Sequence, residues 1–156
     1  FQVRAKAVTP LSPEEFLLIA QQHCAARGAR LTELRQQVLG LVLARGGVVK
    51  AYQVLTDLQA ARGPAAPPTV YRALDFLVEQ GLLHRVDALN GYIACQHLEC
   101  QHHGLLLVCE TCNDVTEIDA TDSLDQLSAA AARAGFQPRR QDVLLTGLCQ
   151  SCRQPS

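Results

Sequence analysis

Over residues 12–81 the apolar positions recur every three to four residues, the spacing that lines one face of a helix. Ser12-Pro13-Glu14-Glu15 is a helix start, with a hydroxyl cap, a proline in the first turn and carboxylates at the positive end of the dipole. Phe16, Ile19, Ala20 and Cys24 then share a face, and Gly28 stops the run. Thr32 caps a second helix with Leu34, Val38, Leu41 and Val42 inside, ended by Gly46-Gly47. A third helix is expected over residues 51–60 with Val54, Leu55 and Leu58 turned inward, ending near Gly63-Pro64. The linker Gly63-Pro64-Ala65-Ala66-Pro67-Pro68 leads to a fourth, which buries Val70, Leu74, Leu77 and Val78 and stops at Gly81.

The period then changes from helix to strand. Residues 82–86 and 92–95 flank Asn90-Gly91, a dipeptide suited to a tight hairpin turn. Short helices followed at once by a hairpin predict a winged helix-turn-helix, with the hairpin as wing and the fourth helix offered to the DNA major groove. Beyond Cys95, short strands at 105–108, 115–118 and 143–146 surround a helix at 124–134, with Gly135 as its stop. The expected fold class is α+β: an N-terminal winged helix-turn-helix DNA-binding domain over residues 1–92, a hinge at 93–97, and a small C-terminal α/β domain over 98–156. A unit of roughly sixty residues buries too little apolar surface to stand alone, so a structural metal is expected there.

Composition narrows the classes. A chain of 156 residues with 48% hydrophobic and 19% charged residues is globular rather than disordered. Its longest apolar stretches, such as residues 104–109, are far too short to span a bilayer, so no membrane partner is expected. No basic start leads into an apolar run, which predicts a cytoplasmic protein; the chain opens at Phe1 without any Met, and its first residues read as a truncated or tag-derived start. Seven cysteines in such a chain point to metal or redox chemistry rather than a disulfide framework, and the odd number leaves at least one outside any pairing. The net charge of −1 hides an asymmetry: residues 1–90 carry ten Lys/Arg against seven Asp/Glu, and residues 91–156 four against eight. A basic front and an acidic, ligand-rich back suggest two domains with different partners.

Cys109-Glu110-Thr111-Cys112 and Cys149-Gln150-Ser151-Cys152 each follow an apolar strand. A two-residue gap lets both thiolates of a knuckle reach one ion at about 2.3 Å, and two knuckles complete a tetrahedron of zinc. A redox Cys-x-x-Cys of the thioredoxin kind occurs once, at a helix start, and needs no second copy. Four thiolates leave no open position, so such a metal stabilises and does not catalyse. A second group comprises His84, Cys95, His97, Cys100, His102, His103 and Glu117. His84 and Cys95 fall on the wing strands and Glu117 on a strand of the back domain, so a metal held by them would bridge the two. Imidazole, thiolate and carboxylate together suit zinc, because a thiolate is softer than iron(II) or manganese(II) sensors favour. Cys24 reads as core and His23 as a surface or boundary residue.

Pro67-Pro68-Thr69-Val70-Tyr71-Arg72-Ala73-Leu74-Asp75-Phe76-Leu77 resembles the recognition-helix motif of the ferric uptake regulator family, and most of all its zinc uptake regulators of proteobacteria. Arg30-Leu31-Thr32 with Arg35, the helix at Ala51-Tyr52, the His84-to-Cys95 spacing and both Cys-x-x-Cys pairs fall in the expected order, so the resemblance spans nearly the whole chain. It implies a homodimeric repressor, zinc-responsive and acting on a palindromic double-stranded operator of zinc uptake genes, with the C-terminal domain serving dimerisation. Carried over, Cys109, Cys112, Cys149 and Cys152 hold structural zinc, and His84, Cys95, His102 and Glu117 a regulatory zinc, two ions per chain. Tyr71 and Arg72, with Thr69 in the same motif, match the base-reading face, and Tyr52 and Arg35 lie near the DNA backbone. Two departures stand out: Glu33 replaces the usual proline, and His103, His97 and Cys100 are alternatives to His102. A sibling sensing iron, manganese, nickel or peroxide is the rival reading. A zinc deaminase is disfavoured because Val108, not proline, precedes Cys109, so neither an enzyme nor a small-molecule substrate is expected.

Overall fold

The Ser12 hydroxyl accepts the Glu15 backbone N–H at 3.2 Å while the Glu15 carboxylate accepts the Ser12 N–H at 3.2 Å. This reciprocal box starts α1 (Pro13–Ala26) where the sequence predicts. The structure, a computed structural model, describes residues 11–95, 98, 104–138 and 143–154, and these form two compact units, one ending at residue 98 and one beginning at 104.

In the first unit α1 is followed by α2 (Glu33–Arg45), α3 (Ala51–Arg62) and α4 (Pro67–Glu79). Thr32 caps α2 by accepting the Arg35 N–H at 3.4 Å, so Glu33 in place of proline does not shift the start. Pro67 and Pro68 belong to the first turn of α4 rather than to a linker, because the first helical N–H groups need no acceptor and proline pre-sets φ. The core gathers Phe16, Ala20, Cys24, Val38, Val42, Val54, Leu58, Val70, Leu74 and Leu77, all essentially inaccessible. Each large side chain in it is worth about 1.5–3 kcal/mol of apolar burial. Leu39 and Ala73 are buried although the periodic reading left them out, whereas Leu34, Leu41 and Val78 are only half-buried. The reason is that α2 is packed by α1, α3 and α4, a wider contact arc than one stripe.

The wing is an antiparallel ribbon of β1 (Leu83–Val86) and β2 (Gly91–Ala94), with Val86 opposite Gly91. Asn90-Gly91 is not a two-residue turn as expected. A short 3-10 turn (Asp87–Leu89) makes the reversal, Asn90 takes a left-handed φ of 49°, and Gly91 already lies in the strand. Gly91 is required there by close approach: a Cβ would collide with the Val48 side chain and stand 3.1 Å from the Val49 carbonyl oxygen. Val49 exchanges two backbone hydrogen bonds of 2.8 Å with Tyr92, an isolated bridge that ties the segment before α3 to the wing. Cys95 N–H still donates to Leu82 O at 3.0 Å, so the expected hinge at 93–97 overlaps the end of the ladder.

The second unit has a three-stranded sheet in the order β4 (Val115–Asp119), β3 (Gly104–Cys109), β5 (Val143–Gly147). β3 is antiparallel to β4 and parallel to β5. Between β4 and β5, α5 (Thr121–Arg133) lies on the path from one sheet edge to the other. It starts three residues before the expected Leu124, since Asp119 Oδ1 accepts both the Thr121 N–H (3.1 Å) and its hydroxyl (2.6 Å). Gly135, at φ 78°, ends it as predicted. The chain closes on the short helix α6 (Gln150–Arg153). Leu106, Val108, Cys109 and Leu124 are this unit's buried apolar residues among those described. No helix among the described residues is long and apolar enough to cross a membrane.

Candidate metal centres and nucleic-acid interface

Cys109 is the last residue of β3, and the chain doubles back at once. Asn113 N–H donates to the Cys109 carbonyl at 2.9 Å, and Cys109 N–H donates to Asp114 O at 2.9 Å, with Asn113 at a left-handed φ of 60°. Pairing of Cys109 with Gly147, and a 2.8 Å bond from Glu110 N–H to Gly147 O, bring the end of β5 to this knuckle. There Cys149 forms the N-cap of α6 and Cys152 sits in its first turn. The four sulfurs of Cys109, Cys112, Cys149 and Cys152 all lie within 4.8 Å of one another, and none is in a disulfide. Cys112 Sγ and Cys149 Sγ are 3.8 Å apart. That matches the edge of a tetrahedron with metal–sulfur bonds of about 2.3 Å.

The local electrostatics fit the same occupant. The N–H of Cys112, with those of Cys149 and Thr111, holds the Cys109 thiol down at about 6. The Cys149 and Cys109 sulfurs beside it push the Cys152 thiol up to about 12. One thiolate forms readily and its charge opposes the next, so only a cation at the centre lets all four ionise together. The donor set therefore fits a closed, four-thiolate zinc.

Of the second group, His84 lies half-buried on β1 and Cys95 is buried just past β2. Leu83 faces Ala94 and His84 faces Ile93, so His84 and Cys95 are diagonal neighbours on one face of the ribbon. A ring nitrogen of His84 and the Cys95 sulfur are within 4.8 Å. Glu117, on β4, is a buried carboxylate with 9% exposure. Gly104 on the neighbouring strand leaves it room: a Cβ there would stand 2.5 Å from Glu117 Oε1. His102 and its alternatives His103, His97 and Cys100 lie outside the described residues.

On α4, Tyr71 and Arg72 are exposed, and Thr69 is half-buried with its N–H donated to Ala66 O at 3.0 Å. Tyr52, 64% exposed on α3, shares a groove with Tyr71. Arg35 is elsewhere. Its guanidinium stacks 3.6 Å over the Phe76 ring and its Nη1 donates to Arg30 O at 2.7 Å, which pins it against α4 outside the tyrosine groove. The sequence reading missed Lys50 and Arg85, which line that groove; their signal is a cation just before α3 and another at an exposed position of β1. Arg45 is instead consumed in a bidentate pair with Asp57, at 2.6 and 3.0 Å. His23 is half-buried and its Nε2–H donates to Gln80 O at 2.7 Å, and Cys24 is core, its thiol pushed up by burial.

A winged helix with an exposed Tyr-Arg pair on its last helix, followed by a thiol-clamped α/β unit, defines a metal-binding member of the winged-helix class. The chain belongs to the ferric uptake regulator family, whose sequence profile matches residues 26–146. It is 41% identical over 141 residues to the zinc uptake regulation protein of Escherichia coli (strain K12), covering 89% of this chain and 82% of that one. To the ferric uptake regulation protein of Synechococcus elongatus it is 26% identical over 133 residues, 82% of this chain and 88% of that one. Among solved structures it superposes on a zinc uptake regulator complexed with zinc and DNA at a TM-score of 0.80, with 38% identity over 91% of this chain and 95% of the other. Holo XcZur follows at 0.77, with 40% identity over 90% and 98%.

Proposed function

We propose that the chain is a zinc-responsive transcriptional repressor and not an enzyme, acting in the cytoplasm as a homodimer on a palindromic operator of zinc uptake genes. The observation that carries the zinc assignment is the sulfur of Cys95 beside the imidazole of His84 on one face of the wing. A sulfur donor in a sensing site favours zinc over the harder ions. Cys109, Cys112, Cys149 and Cys152 would hold one zinc as a scaffold. His84, Cys95, Glu117 and His102 would hold a second, for two ions per chain.

The second set would draw ligands from both units, so its occupancy would restrict how the winged helices are presented to DNA. Two recognition helices of a dimer would then meet half-sites about one helical turn apart. Arg72 suits a bidentate contact with guanine, Tyr71 and Thr69 of the same motif would read beside it, and Tyr52 would lie toward the phosphates; Arg35, held on Phe76, would have to leave that stack to join them. Coupling is reciprocal, so DNA should tighten zinc by the factor by which zinc tightens DNA. The test is duplex binding against buffered free zinc, with operator fragments recovered by selection from random sequence. Cys95→Ser should abolish the zinc dependence while leaving the four-thiolate zinc in place; unchanged zinc dependence would refute the sensing role. Iron, manganese or nickel in the purified chain would assign it to a sibling sensor.

A further inference from the structure

Tyr92 is only 5% exposed, yet its hydroxyl makes no hydrogen bond to any described residue. A buried hydroxyl normally has a partner, so this one points to something that comes from outside. Tyr92 lines a groove of about 460 Å³ together with Lys50, Tyr52, Tyr71, Arg85 and Asn90, so all three tyrosines of the chain meet there.

The groove also receives an uncapped helix end. Lys50 occupies the N-cap of α3 in extended backbone, φ −89° and ψ 148°, where serine, threonine or aspartate would normally accept a first-turn N–H. An ammonium accepts nothing. Gln53 Oε1 takes the Lys50 N–H at 2.9 Å, which closes only the other half of the cap. The N–H groups of Ala51 and Tyr52, at the first two positions of this 12-residue helix, have no acceptor within it, and both residues line the groove. Asp87 is the carboxylate in the wall. It pairs with Arg85 Nε at 3.1 Å, with both side chains exposed, and leaves the outer edge of the guanidinium fork available. Orphan amides, a positive dipole end, an ammonium, a guanidinium edge and an unpaired hydroxyl together make an oxyanion site.

We propose that this groove seats one backbone phosphate of duplex DNA against the N-terminus of α3, between the Lys50 ammonium and the Tyr92 hydroxyl. The assignment rests on the DNA-binding reading above. It makes Lys50 a sequence-independent anchor, placed where a stabilising cap would otherwise stand.

The experiment is fluorescence anisotropy of the full zinc-loaded chain with two labelled duplexes of unrelated sequence, across a salt series. Lys50→Ser should weaken both about five- to tenfold near ~0.1 M salt and lower the slope of log K against log salt by about one. The same variant should raise the urea midpoint, because serine caps α3. Lost binding with gained stability cannot come from a damaged fold. Tyr92→Phe keeps the ring and should weaken both duplexes a few-fold without changing the slope. Wild-type affinity and slope in both variants would overturn the seat while leaving the DNA-binding reading intact. Failure of the wild-type chain to bind either duplex would overturn that reading and the seat with it. Displacement of DNA by inorganic phosphate, well below the ionic strength at which chloride displaces it, would overturn the duplex assignment in favour of free phosphate.

Discussion

Gly104→Ala tests whether Glu117 is a metal ligand without touching any ligand. Gly104 opens β3 opposite Asp119, two residues from Leu106, which faces Glu117. A methyl group there would stand 2.5 Å from Glu117 Oε1 and 3.2 Å from its Cδ and Cγ. Non-bonded atoms settle near ~3.5 Å, so the carboxylate must retreat by about 1 Å. The fold itself should accept the change. Gly104 is not in the left-handed region, and alanine in place of a strand glycine gains about 0.5–1 kcal/mol. A metal ligand tolerates displacement of only about 0.2 Å. Disturbing a ligand's support costs about 10–100-fold in affinity, and a shift of this size should cost at least as much. Competition against a fluorescent zinc chelator would resolve a tight site and a weaker one. In Gly104→Ala the weaker should loosen by that factor and the tight one should not move. DNA binding should then require correspondingly more free zinc. A folded Gly104→Ala chain with wild-type affinity at both sites would show that Glu117 is not a ligand.

Replacing Cys112 with serine should lower zinc content by one ion per chain and abolish cooperative unfolding of the second unit, because structural zinc supplies of the order of 10 kcal/mol of folding free energy. The helical signal in circular dichroism should persist, and a native-like second unit in Cys112→Ser would count against its role. The Arg45 hydrogen bond holds Asp57 below its ordinary carboxyl range, so the pair stabilises fully above that range and the gain fades as pH falls through the lowered value. Asp57→Asn should therefore lower the urea midpoint slightly at neutral pH and converge with wild type once the pH has fallen below the lowered value; an equal gap at neutral and acid pH would rule out this ion pair as the cause. Arg72→Ala should cost about 1–3 kcal/mol of discrimination between operator and mismatched duplexes, read by competition binding, and unchanged discrimination would remove it from the base-reading face.

Local signals in the sequence placed most of the elements. Ser12, Thr32, Gly28, Gly81 and Gly135 act within one helical turn, so their effects are legible without the rest of the fold. The two Cys-x-x-Cys knuckles are legible for the same reason, since two-residue spacing constrains a metal site by itself. Tertiary structure decided the rest. Leu39 is buried because three helices surround α2, which one-stripe periodicity does not encode. Asn90-Gly91 looked like a turn, but Gly91 serves the close approach of Val48 and Val49, which are distant in sequence. β5 joins β3 in parallel across α5, a pairing that no short-range pattern specifies, and that pairing alone carries Cys149 to Cys109. The groove of Lys50, Tyr52, Tyr71 and Tyr92 likewise exists only because α3, α4 and the wing converge. Short-range chemistry set the elements and the metal knuckles; long-range packing decided which side chains meet.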